Sequence, residues 1–230
     1  MIKLNCDEKI ENLGEKKLKI IQAQNIYRFS EDTILLIKFI KIKNYEKIID
    51  LGSGSGIIPI LLSKKRMGLS IYGIEIQKKL ADMAKKSVKL NKLQARIKII
   101  QEDIKDLKNI FKEKEFDVAV SNPPYISIGE GKINPVRSKA IARHELKCNL
   151  EDIVSISSYL LKDKGRIYLI YKTSKLTDII LKFKKYGIEP KKIKFIHYEI
   201  KKNSKYFLIE GIKGGKRELK VESPIFCKDK

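Results

Sequence analysis

The chain has 230 residues, of which 43% are hydrophobic, enough to bury the core of one domain of ordinary size, and this argues against a two-domain enzyme. Fifty Lys and Arg against 28 Asp and Glu leave a net charge of +22, and such an excess fits a polyanionic partner, because cations that meet phosphates release condensed counterions. Only 7 of the 50 cations are Arg, and Ile and Asn are also abundant, so a solvated Lys-rich surface of purely compositional origin stands open beside that reading.

Other classes fall away on simple grounds. The charge-free stretches 51–63 and 118–129 are shorter than the ~20 apolar residues of a membrane span, so no membrane association is expected. Residues 1–10 lack the apolar centre of a secretory signal, and a cytoplasmic location is expected. Cys6, Cys148 and Cys227 form no C-x-x-C pair, and His144 and His197 are the only imidazoles, so neither a disulfide framework nor a metal site is expected.

About 45 residues precede the first strand pattern, and within them 34–40 reads as a buried helix entered through Ser30, Glu31 and Asp32. The division expected is an N-terminal segment, 1–45, packed on a domain spanning 46–230, the whole forming one compact unit and a monomer. Strand-like runs follow at 47–51, 70–76, 97–101, 116–121, 166–171, 192–198 and 206–212, with helical patterns at 56–66, 77–91, 106–111, 150–161 and 174–186. Strands that alternate with helices build a parallel sheet covered on both faces, an α/β fold. Residues 199–205 are too few for a crossover helix, so an antiparallel C-terminal hairpin should close a seven-stranded, mostly parallel sheet. The stretch 126–143 has no period and carries Lys132, Arg137, Lys139 and Arg143 among glycines and a proline; loops of that length in compact domains are usually functional or disordered.

The first motif, Asp50-Leu51-Gly52-Ser53-Gly54-Ser55-Gly56, follows a strand pattern and opens a helix. Small residues there let the backbone turn sharply and approach a ligand. A dinucleotide fingerprint would need glycine at 57, where Ile57 stands, and no Gly-Lys-Ser/Thr follows as in a phosphate-binding P-loop. Glu75 ends the next strand 19 residues beyond Gly56, a spacing that suits a carboxylate on ribose hydroxyls. Asp103 follows the third strand, where it could accept from an adenine amino group. Capping of the following helices is the alternative for both acids. Together with Asp50 they form a negative island in a basic protein, suited to a nucleoside that bears a cation, the character of S-adenosylmethionine.

The sharpest feature is Ser121-Asn122-Pro123-Pro124-Tyr125 at the end of the fourth strand run. Two prolines could merely terminate the strand. The flanking residues suit a specific chemistry as well. An amino group on an sp² carbon is a poor nucleophile because its lone pair is delocalised, and two acceptors aimed at its N–H bonds help it pyramidalise. The Asn122 side-chain oxygen and the Pro123 carbonyl supply such acceptors, with the proline restricting the Asn122 backbone, and Tyr125 offers a face for a flipped base or planar amide. Methyl displacement onto such an amine needs positioning and electrostatics, with no metal.

These residues resemble the class I, Rossmann-like S-adenosylmethionine-dependent methyltransferases with an N-P-P-Y motif. The closest likeness is to the bacterial tRNA1(Val) adenine-37 N6-methyltransferase family. The glycine loop and N-P-P-Y mark the broad branch. The resemblance also covers residues 18–22, 27–36 and Leu150-Glu151-Asp152, while Ala142-Arg143-His144-Glu145 and the Lys-Gly-Gly of the tail 210–216 are what point to the tRNA family. The resemblance implies that Asp50, Gly52, Ser53 and Gly54 shape the pocket for the methionine part and Glu75 holds the ribose. Asp103 and Ile104 would flank the adenine, with Phe29 and Asp32 closing over the cofactor and Asn122 bordering it. It implies tRNA as partner. Because the cofactor cleft is expected to be acidic, the basic excess that meets RNA phosphates is expected elsewhere, around Lys132, Arg137, Lys139 and Arg143 beside the N-P-P-Y motif. Ser30-Glu31 stands where the family has Gly-Ile, and Ile126 where an aromatic residue is commoner; Tyr-Ile is more typical of the glutamine N5-methyltransferases of release factors, the leading alternative. An adenine methyltransferase for rRNA or DNA is a further one.

Overall fold

Ile48, Ile49 and Leu51, like Val118, Ala119 and Val120, are buried with side chains alternating to opposite faces, which only a strand covered on both sides permits. A computed structural model describes residues 2–14, 18–23, 31–123 and 149–227. In chain order the elements are β1 (Glu8–Asn12), β2 (Lys19–Ala23), α1 (Glu31–Phe39), β3 (Lys47–Leu51), α2 (Ile57–Leu62), β4 (Ser70–Glu75), α3 (Lys78–Leu90) and β5 (Ile97–Gln101). There follow a 3-10 segment (Ile104–Asn109), β6 (Phe116–Ser121), α4 (Leu150–Leu160), β7 (Leu161–Lys172), α5 (Leu176–Lys185), β8 (Ile188–His197), β9 (Tyr206–Lys213) and β10 (Lys220–Phe226).

The main sheet has eight strands in the order β10-β8-β9-β7-β6-β3-β4-β5. Strands β3 to β7 are parallel, β9 is antiparallel to both β7 and β8, and β10 runs parallel to β8. The α/β class and the C-terminal hairpin are as the sequence predicts. The count is eight strands where seven are expected. The extra one, β10, lies at the sheet edge, is largely exposed, and carries Pro224 at a break in its register, so it lacks the apolar alternation that announces a strand.

Helices α1, α2 and α3 pack on one face through Leu36, Ile60, Ala84 and Val88. The 3-10 segment, α4 and α5 pack on the other through Leu107, Ile153, Val154, Ile179 and Phe183. Several bounds differ from the sequence patterns. Helix α2 stops at Leu62, where the Ser63 hydroxyl donates to Ile60 O at 2.7 Å, and the pattern 106–111 becomes a 3-10 segment starting two residues earlier.

Strands β1 and β2, in a stretch with no predicted strand, form a separate antiparallel hairpin. It lies on α3: Ile21 and Ala23 cluster with Leu80 and Met83. The Ser87 hydroxyl accepts from Ile21 N at 2.9 Å and donates to Met83 O at 2.8 Å. The Asn91 side chain meets both backbone groups of Lys19 as a strand partner would, at 2.9 and 2.6 Å. Among the described residues no helix is long and apolar enough to cross a membrane.

Candidate active site

Strands β6, β3, β4 and β5 are parallel neighbours, so their carboxyl ends share one edge. The strand order reverses at β3, with β4 and β5 to one side and β6 and β7 to the other, the position at which open α/β sheets form a ligand crevice. Asp50 to Gly54, Glu75, Asp103, Ile104, Asn122 and Pro123 all sit on or just past those ends. Phe29, Pro124, Tyr125, Lys132, Arg137, Lys139, Arg143 and His144 lie outside the described residues.

The glycine loop turns because Gly52, Gly54 and Gly56 all adopt left-handed backbone, with φ of 80°, 56° and 85°. Gly52 N and Ser53 N both donate to Ile74 O, at 3.0 and 2.8 Å, which folds the loop over the end of β4. A Cβ on Gly52 or Gly54 would meet nothing within 4 Å, so at both positions the backbone lies open to a ligand. Gly56 serves packing instead: a Cβ there would lie 3.1 Å from Ala84 Cβ on α3. Gly73, inside β4, makes room for the loop, since a Cβ would stand 2.6 Å from Ser53 Oγ. A lone glycine in a strand interior is the signal that could have found it.

Asp50 is fully buried. One of its oxygens accepts from Ser53 Oγ at 2.6 Å and the other, Oδ1, has no hydrogen-bond partner. Burial pushes its carboxyl from 3.8 up to about 7; the Ser53 hydrogen bond opposes the rise and the charge of Glu75 adds to it. Glu75 accepts from Gly54 N and Gln77 N, each at 2.9 Å, and so ties the loop to the start of α3. This satisfies the capping reading, yet each carboxylate oxygen keeps lone-pair capacity for a further donor. Asp103 likewise caps the 3-10 segment by accepting from Lys105 N at 3.0 Å. Ile104 beside it is buried.

At the end of β6 the Ser121 hydroxyl donates to Leu51 O at 2.6 Å, locking β6 to β3 just before Asn122. The Asn122 side-chain nitrogen donates to the Thr33 hydroxyl at 2.8 Å. Pro123 is buried. Asp32, the neighbour of Thr33, is buried and accepts a short hydrogen bond from the Tyr198 hydroxyl, 166 residues away in sequence. Burial, and then that bond, raises the Tyr198 hydroxyl above its ordinary range. Tyr198 gave no signal in the sequence, because the contact joins α1 to the turn between β8 and β9.

The donor set fits a cationic nucleoside: an open glycine cradle, an unpartnered buried carboxylate oxygen, and two further acids on adjacent strand ends. A separate surface depression of about 490 Å³, lined by Asn44, Lys64, Lys65, Arg66 and Arg96, lies at the amino ends of β3 and β5, the opposite edge of the sheet. Among the described residues no cluster of His, Cys, Asp and Glu could hold a metal ion.

A sheet of this topology, with a glycine turn and acids at the carboxyl ends of its first three core strands and Asn-Pro at the fourth, defines a class I, Rossmann-like methyltransferase fold. The chain belongs to the methyltransferase small domain family, whose model matches residues 19–195. It is 33% identical over 135 residues to the tRNA1(Val) (adenine(37)-N6)-methyltransferase of Porphyromonas gingivalis W83, covering 58% of this chain and 52% of that one. The aligned part thus spans about half the length of that relative. The protein of the same name from Pedobacter heparinus is 28% identical over 182 residues, 79% of this chain and 76% of its own. Among solved structures, one described as a predicted O-methyltransferase from Agrobacterium tumefaciens matches with a TM-score of 0.68 at 20% identity, covering 84% of this chain and 86% of that one, which shows the shared fold.

Proposed function

We propose that the chain transfers the methyl group of S-adenosylmethionine to the exocyclic N6 amine of an adenine in RNA, with adenine 37 of tRNA1(Val), the site named for its relatives, as the target. The observation that carries this reading is the placement of Asn122 and Pro123 at the same strand edge as the glycine cradle and its three carboxylates. When bound, S-adenosylmethionine supplies a sulfonium methyl open to in-line displacement. Gly52 and Gly54 give it backbone access, Asp50 Oδ1 stands ready for a positively charged donor, and Glu75 and Asp103 offer acceptors to ribose and adenine. Asn122 Oδ1 and the Pro123 carbonyl accept the N6 hydrogens and free the amine lone pair. The same reading assigns the rest of the catalytic motif to Pro124 and Tyr125, the cofactor's cover to Phe29 and Asp32, and binding of the RNA backbone to Lys132, Arg137, Lys139 and Arg143.

In this reading residues 1–45 serve as a segment packed on the 46–230 domain, a role supported by the seating of β2 on α3. The test is mass spectrometry of nucleosides from unmodified tRNA treated with enzyme and cofactor. N6-methyladenosine in one anticodon-loop fragment is the expected result. Label found only on a protein glutamine would overturn it.

A further inference from the structure

The sheet order makes Asn122 a boundary. On one side of β6 lie β3, β4 and β5, whose ends carry Asp50, Glu75 and Asp103; on the other lie β7, β9 and β8. The acidic side, which receives the cationic cofactor, repels phosphates. RNA that delivers an adenine to Asn122 therefore has to reach it from the side of β7.

That side carries a raised, basic wall. Ser121 pairs with Leu169, but β7 continues for three residues to Lys172, which pairs with Tyr206 at the start of β9. At ~3.3 Å per residue, the turn 198–205 between β8 and β9 stands ~10 Å beyond the level of Ser121. Strands β7 and β9 are one and two spacings from β6, so the wall lies ~5–10 Å to the side, a span of two or three nucleotides at ~3.4 Å each. Residues 172–175 and 197–206 hold Lys172, Lys175, Lys201, Lys202 and Lys205 with one acid, Glu199, a net charge of +4 in 14 residues against +22 in 230 for the chain. Glu199 meets Lys202 at 2.5 Å and Asp178 meets Lys175 at 3.2 Å, both exposed pairs that a phosphate can displace at little cost.

The wall is also held in place. Thr173 N donates to Lys205 O at 3.1 Å, Lys205 N donates to Ile196 O at 3.3 Å, and the Thr173 and Ser204 hydroxyls lie 3.1 Å apart. Its base is tied to the reacting residue through the start of α1: the Tyr198 hydroxyl donates to Asp32, and the next residue, Thr33, shares a 2.8 Å hydrogen bond with Asn122. We propose that this wall, with Lys201 and Lys205 at its centre, binds the phosphates of the nucleotides next to the target adenine, an inference that rests on the RNA-methylation reading above.

In the full chain, Lys201→Ala/Lys205→Ala should raise the KM for unmodified tRNA about tenfold, with kcat and the calorimetric affinity for S-adenosylmethionine within about twofold of wild type. In fluorescence anisotropy with the same tRNA, the slope of log Kd against log salt should fall by ~1.4–1.8, the loss of two phosphate contacts. Lys43→Ala/Lys64→Ala removes the same charge at the opposite edge of the sheet and should leave KM and slope as in wild type. Should the first variant not fold, Ile200→Glu sets an acid at the tip of the turn, where Ile200 is 82% exposed, and should raise KM at least as far. Equal effects from the two double variants, or none from the first, in a chain that methylates RNA would overturn the wall alone. A chain that methylates a protein glutamine and no RNA would overturn the reading of function and this proposal with it.

Discussion

Replacing Asp50 by Asn tests the electrostatic state of the cleft. The wild-type carboxyl is fully buried, bonded to Ser53 through one oxygen and unpartnered at the other, and stands near 7 in place of 3.8. In the unfolded chain it gives up its proton near pH 4, while in the native state it holds the proton to about pH 7. Across that interval the native state binds more protons than the unfolded one, so stability is fullest below pH 4 and is lost as pH rises to about 7. The interval, about three pH units at ~1.4 kcal/mol each, caps the loss at ~4 kcal/mol. Asn accepts from Ser53 without carrying a charge, so the unfolding free energy of Asp50→Asn should lack this decline. At pH 8 without ligand it should exceed the wild type by ~2–4 kcal/mol, measured by urea unfolding at a series of pH values. A cationic ligand draws the wild-type carboxyl back toward ionisation, so S-adenosylmethionine should release a proton on binding below pH 7 and bind more tightly as pH rises to that point. Calorimetry in buffers of different ionisation enthalpy reads the proton directly. Parallel stability curves for the two proteins, or binding without proton release near pH 6, would refute the reasoning.

Asn122→Ala should lower single-turnover methyl transfer by ~10²-fold or more with cofactor affinity retained, and unimpaired turnover would remove Asn122 from the chemistry. Glu75→Ala should weaken cofactor binding in calorimetry and also cost ~1–3 kcal/mol of stability, because Gly54 N and Gln77 N lose their acceptor; a stability loss with full affinity would assign the carboxylate to capping alone. Gly73→Ala forces a Cβ to within 2.6 Å of Ser53 Oγ and 2.7 Å of Ile99 Cδ1, so it should cost ~1–3 kcal/mol in denaturant unfolding and loosen cofactor binding through the displaced loop. A stable variant with normal affinity would show that the loop shifts without consequence.

What could be read from the sequence follows the range of the interactions involved. The core strands β3 to β6 and helix α3 show themselves because each carries its own period and a local stop signal. The glycine loop, Glu75, Asp103 and Asn122 were legible as one group because in a parallel sheet the residue that ends each strand falls at the same edge. Thr33 and Tyr198 were not legible, since each matters through a partner in another element, Asn122 and Asp32; Gly73 left a signal as a lone glycine inside a strand pattern, but its partner Ser53 did not. Strand β10 and the β1-β2 hairpin failed to announce themselves for a related reason. They are partly polar and defined by the surface they lie on.

The charge of +22 bears on the site through what the acids do elsewhere. With 50 cations for 28 acids, many carboxylates on the protein pair with a lysine. Glu8 is bridged by Lys86 at 2.7 Å, Glu210 by Lys192 at 2.7 Å, Asp117 by Lys162 at 2.7 Å, and Glu151 by both Lys182 and Lys185. Among the described residues Asp50, Glu75 and Asp103 carry no ion pair; their partners are a hydroxyl and backbone N–H groups. Neutral donors fix the three carboxyl groups in place without a lysine partner that would compete with an incoming cation. A buried acid left uncancelled costs stability, and its retention in so basic a chain is what a cleft built to receive a cation requires.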